Sequence, residues 1–139
     1  MPIKISSADY RALAELRYRI RRFLRENDAA AHRSGLEPQQ YLLLLAIRGL
    51  PPRRKPTIRT LAERLGLKHN STVELINRLE SRGCVQRIRS PEDRRCVLVS
   101  LLPRGQKLLE QVARQRITEV RAGGVELINA MTAVLGYKR

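Results

Sequence analysis

The chain has 139 residues, enough for one domain with a real core, and its 42% hydrophobic and 29% charged residues argue against a disordered or membrane-embedded class. Its formal charge is +15, from 28 Lys+Arg against 13 Asp+Glu, which points to a polyanionic partner: nucleic acid, an anionic membrane or an acidic protein. Two cysteines make no disulfide framework, and the opening MPIKISSADY lacks the apolar stretch of a signal peptide, so a reducing, cytoplasmic setting is expected. The charge is uneven: residues 48–104 hold 14 basic and 5 acidic groups, the largest share of the excess. The 23 arginines against 5 lysines suit bidentate phosphate and guanine contacts, and also follow from GC-rich codon usage.

The first segment predicts a long helix, capped by Ser6 or Ser7 with Asp9 in its first turn. Leu13, Leu16, Ile20, Phe23 and Asn27 recur at steps of three and four, an apolar stripe that ends in a polar residue. Gly35 ends the segment and Pro38 starts a second helix. Residues 41 to 47 are apolar on every side, which predicts a helix buried all round. Arg53, Arg54 and Lys55 then read as a mobile basic loop. Thr57 caps a short third helix with Ile58, Leu61, Ala62 and Leu65 on one face, closed by Gly66. A fourth helix is expected from about His69 to Arg82, with Thr72, Leu75, Ile76 and Leu79 as its core stripe and Gly83 as its stop. The period then changes to two. The stretches 84–89 and 97–101 read as strands around the turn Ser90-Pro91-Glu92-Asp93. Pro103 opens a fifth helix, Gly123-Gly124 interrupts it, and Val125 to Leu135 forms a sixth.

Short helix, tight turn, second helix and basic hairpin make the order of a winged helix-turn-helix. The fold class is therefore mainly α with a small β-hairpin wing, flanked by N- and C-terminal helices. The outer face of the fourth helix carries Asn70, Ser71, Val73, Glu74 and Asn77, small or polar side chains able to reach base edges in a major groove. Asn suits adenine, Glu accepts from cytosine, and Val73 suits a thymine methyl. Arg78, Arg87, Arg89 and Arg94 are expected on phosphates, and His69 either on a phosphate or simply at the helix start. The stripe of Leu13, Leu16, Ile20 and Phe23, and the face of Leu127, Ile128 and Met131, either close an ordinary core or meet a second copy of the chain.

The run TIRTLAERLGLKHNSTVELINRLESRGCVQRIRSPEDRRCVLVSLL, residues 57–102, resembles the MarR family of bacterial transcription regulators. Its most specific part is PEDRRCVLVSLLPRG, similar to the family's wing signature; NRLESRGCVQR and GLEPQQYLLLLAI match the reading-helix exit and the second helix. The likeness covers about residues 5–125 and departs at Leu102, where the family has a threonine cap. It implies one domain over 1–139: a DNA-binding part at 36–102 and dimerisation helices at 5–34 and 103–139. It further implies a homodimeric repressor of a pseudo-palindromic operator on double-stranded DNA. Arg95 takes the place of the family's minor-groove arginine, and Asp93 that of the acid orienting it. A small aromatic or phenolic ligand, met by His32, Arg33 and Tyr41, is a further family expectation, although Tyr41 also reads as core.

No metal-ligand spacing, cofactor loop or nucleophile–base pair is present in the sequence, so neither a cofactor nor catalysis is expected. Cys84 and Cys96 read as small buried hydrophobes rather than a redox switch, because the first helix lacks the cysteine that oxidant-sensing members carry. The competing function is a nucleoid-type or RNA-binding protein that uses the +15 charge without reading sequence.

Overall fold

Local chemistry places the helix ends. Ser6 Oγ accepts from the Asp9 N–H at 3.1 Å while the Asp9 carboxylate accepts from the Ser6 N–H at 2.9 Å, a reciprocal cap that starts α1 (Ser7–Arg33). That hydrogen bond to Ser6 also holds the Asp9 carboxyl below its ordinary range. Pro38 opens α2 (Pro38–Arg48), and Thr57 Oγ1 accepts from the Thr60 N–H at 3.1 Å to start α3 (Ile58–Leu65). Gly66, at φ 66°, ends α3 in a left-handed turn that a β-carbon would strain, and α4 (His69–Ser81) follows at once. Strands β1 (Val85–Arg89) and β2 (Val97–Leu101) pair antiparallel, with Arg87 opposite Val99. The chain closes with α5 (Pro103–Gly123) and α6 (Val125–Leu135). These elements come from a computed structural model that describes residues 1–136; the last three residues of the expected C-terminal dimerisation segment lie outside the described residues.

The chain divides into two compact units, one of residues 31–113 and one of residues 1–30 together with those from Arg114 onward. The winged unit is wider than the 36–102 expected from sequence. Its extra length packs: Ala31, Leu109 and Val112 are buried. The core of this unit lies where α2, α3, α4 and the hairpin meet, and holds Leu43, Leu44, Leu61, Ile76, Leu79, Val85 and Val99. Thr72, Leu75, Ile76 and Leu79, the stripe expected on α4, are all buried. The segment before α3 lies along the edge of β2, where the Val99 N–H donates to the Pro56 carbonyl at 2.9 Å. Cys84 is buried and Cys96 half-buried.

Helix α2 is not buried all round. Tyr41, Leu43 and Leu44 face the core, but Leu42 and Leu45 are 37% and 40% exposed. A continuous apolar run has no helical face of its own; packing partners on one side of the helix decide which residues are covered.

In the other unit, Asn27 explains why the α1 stripe ends in a polar residue. Its Oδ1 accepts a hydrogen bond from Nε of Arg116, an arginine only 4% exposed. The Arg116 guanidinium also reaches Glu119 at 2.8 Å and lies 4.8 Å from the Phe23 ring centroid. A buried cation is tolerable only when so compensated. Leu13, Ile128 and Met131 are exposed, and Leu16, Ile20, Phe23 and Leu127 half-buried.

The winged unit includes one backbone-close contact. A β-carbon at Gly105, in the first turn of α5, would stand 2.1 Å from the Cys84 carbonyl oxygen. The Leu102 N–H donates to that same oxygen at 2.9 Å, so the helix cannot retreat without losing a hydrogen bond. Gly105→Ala is expected to destabilise the protein by about 1–3 kcal/mol, as overpacking does, read as a lower urea midpoint with the slope unchanged.

Candidate nucleic-acid interface

The face of α4 opposite its buried stripe carries the predicted base-reading set. Asn70, Ser71, Glu74 and Asn77 are exposed and Val73 is half-buried. His69 begins the helix and is exposed, with Lys68 as the residue before it. The Thr72 hydroxyl donates to the Lys68 carbonyl at 2.9 Å, so the one polar member of the core stripe is satisfied. A hollow of about 220 Å³ follows the helix beside Ser71, Glu74 and Arg78, walled by Gln39 and Leu67.

The wing lies after α4. At its tip the Asp93 carboxylate accepts the Arg95 backbone N–H at 3.0 Å, and the Cys96 N–H donates to the Asp93 carbonyl at 2.9 Å. Asp93 thus meets the Arg95 backbone, and the Arg95 side chain is exposed. The Arg89 side chain donates to the Arg94 carbonyl at 2.8 Å, which ties the end of β1 to the turn. Arg78, Arg94 and Arg95 are exposed.

Arg87, expected on phosphate, is paired within the chain. Its guanidinium donates to Glu80 at 2.6 Å and to Asn77 Oδ1 at 2.6 Å, so its charge is already paired on the protein. Glu80 is not among the residues expected at this interface. The signal was available: Glu80 stands three residues after Asn77 and shares its side of the helix. The basic loop also departs from expectation, because Arg54 pairs with Glu63 at 3.6 Å and Lys55 with Glu92 at 2.6 Å. A partner 37 residues away leaves no local pattern to read.

The expected effector residues are placed differently from one another. The His32 imidazole stands 3.5 Å from the Glu37 carboxylate and is exposed, as is Arg33, whereas Tyr41 is 5% exposed in the core. Among the described residues no group of histidines, cysteines and carboxylates could hold a metal ion, and no helix is long and apolar enough to cross a membrane.

Comparison with known proteins agrees with this geometry. The MarR family model matches residues 34–95, which span α2 through the wing tip. The HTH-type transcriptional regulator YsmB of Bacillus subtilis is 35% identical over 60 residues, 43% of this chain and 41% of YsmB, so the match spans under half of that relative's length. Among solved structures, a MarR family protein from Bacillus stearothermophilus superposes with a TM-score of 0.71 at 21% identity, covering 84% of this chain and 80% of that one. A mutant MarR from E. coli complexed with operator DNA gives a TM-score of 0.58 at 26% identity, over 68% of this chain and 65% of that one.

The Lys55–Glu92 pair gives a pH signature for the wing. The hydrogen bond from Lys55, with its charge, lowers the Glu92 carboxyl below its ordinary 4.5 and raises the Lys55 ammonium above its ordinary 10.5. The tie is therefore fully present between those ordinary values. It fades as pH falls through the lowered Glu92 value, and at the other end as pH rises through the raised Lys55 value. An NMR titration should place the Glu92 midpoint below 4.5, returning towards 4.5 in Lys55→Met.

Proposed function

From a chain whose residues 34–95 match the MarR family model, we propose a homodimeric transcriptional repressor that binds a pseudo-palindromic operator in double-stranded DNA. The observation that carries this reading is α4: 13 residues with one side fixed in the core and the other presenting Asn70, Ser71, Glu74 and Asn77 beside an arginine-tipped hairpin. A helix of this diameter enters a B-DNA major groove, and its outer side chains meet base edges. Arg95 at the wing tip reaches the neighbouring minor groove, where narrow A·T-rich stretches concentrate negative potential. Arg78 and Arg94 contact phosphates, and the hydrogen bond from Arg89 to the turn holds that end of the hairpin in one shape. The homodimer is supported by the apolar side chains left open in the terminal-helix unit. Ile128 is 62% exposed, and Met131 and Leu13 are open as well. Large apolar side chains left open on the terminal helices mark a protein–protein contact. Two copies of α4 related by a two-fold axis then require a two-fold symmetric site.

Selection from random duplexes should return a symmetric site with half-sites about one helical turn apart. A uniform pool would instead indicate a basic protein that coats nucleic acid without reading it. Arg95→Ala should weaken specific and random duplexes alike and make the salt dependence shallower by about one counterion per subunit.

Sedimentation should show a dimer at micromolar concentration. Replacing Ile128 and Met131 together by Asp should yield a monomer that keeps its helical circular dichroism, since both positions are open in the single chain. A wild-type monomer would overturn the dimer.

A further inference from the structure

The contact between β1 and α4 bears on which base the helix reads. The Arg87 guanidinium stands between two residues of α4, donating to Glu80 Oε1 at 2.6 Å and to Asn77 Oδ1 at 2.6 Å. Glu80 also accepts the Arg87 backbone N–H at 3.3 Å, so the strand and the helix are joined at both backbone and side chain. Asn77 itself is exposed on the outer face.

We propose that Arg87 sets the base that Asn77 reads: by engaging the amide oxygen it leaves Asn77 to meet DNA with its N–H groups, so the position selects guanine in place of adenine. This rests on α4 being the helix that enters the major groove. The orientation of the amide is not arbitrary. A guanidinium carries donors only, so the Asn77 atom facing it is the oxygen and the outward atom is the nitrogen. An unengaged asparagine pairs with adenine because its oxygen accepts from the adenine amino group while its nitrogen donates to N7. Here a cation occupies one side of that oxygen. Bringing the electropositive amino hydrogens of adenine to the same oxygen sets them against the guanidinium. Guanine presents two acceptors, O6 and N7, and no amino group on its major-groove edge. The N–H groups of Asn77 match it, and donation from Arg87 into the amide oxygen polarises them further. Glu80 holds the other side of the guanidinium at 2.6 Å, so the arrangement persists without a phosphate partner.

The test is selection from random duplexes with wild type, Asn77→Ala and Arg87→Met. The methionine keeps an unbranched stem at a side chain 26% exposed and removes every donor. The position whose preference Asn77→Ala relaxes is the one Asn77 reads. In wild type it should be a G·C pair, favoured over A·T by at least about fivefold. In Arg87→Met the same position should move to A·T, while positions read from Asn70 and Ser71 stay unchanged. A purely structural role for Arg87 would weaken all positions together and move none. An A·T pair at the Asn77-dependent position in wild type overturns the proposal, whether or not Arg87→Met folds, and so does an unchanged preference in Arg87→Met. If wild type returns a motif that Asn77→Ala leaves intact, the proposal fails while the DNA-reading function stands. If wild type returns no motif, both fail.

Discussion

Everything the outer face of α4 presents depends on four side chains on its other face. Thr72, Leu75, Ile76 and Leu79 are buried, and each apolar member contributes about 1.5–3 kcal/mol by leaving water. They sit at steps of three and four, so their burial fixes the rotation of the helix about its axis. A turn of 100° would expose part of that stripe and bury the asparagines without partners. The short α3 and the left-handed Gly66 set the angle at which α4 leaves. Helices α2 and α3 and the hairpin provide the surface on which α4 rests. The outward face is thus a by-product of the core: Asn70, Ser71, Glu74 and Asn77 are left outside because four others cannot be.

Electrostatics then sorts the basic residues into two populations. Arg116 is buried and compensated by Asn27, Glu26 and Glu119. Arg19 is spent on Glu15 and Glu126, Arg87 on Glu80, and Arg54 on Glu63. Arg78 on α4 and Arg94 and Arg95 at the wing tip are exposed. The net charge therefore overstates the exposed basic surface, because acids far apart in sequence return to neutralise particular arginines. It also explains how one wing can be both rigid and basic. Its tip is held by backbone hydrogen bonds around Asp93 and by the Lys55–Glu92 tie, contacts that leave the guanidinium of Arg95 available.

The order and type of the elements were legible in the sequence, because each rests on chemistry within a few residues. The 3.6-residue stripes of α3 and α4, the Thr57 cap, the glycine stops and the period-two run of the wing are all local signals, and the structure carries each of them. The outward set from Asn70 to Asn77 followed from the same periodicity. Tertiary structure decided the rest. It chose which side of the uniformly apolar α2 is covered, since a run without polar residues specifies no face. It carried the winged unit into α5, where Gly105 meets Cys84, two residues that no periodicity links. It also brought Arg87 against Asn77 and Glu80. Strand register and helix rotation bring those three side chains together only after folding, and a linear pattern holds no record of a distance between separate elements.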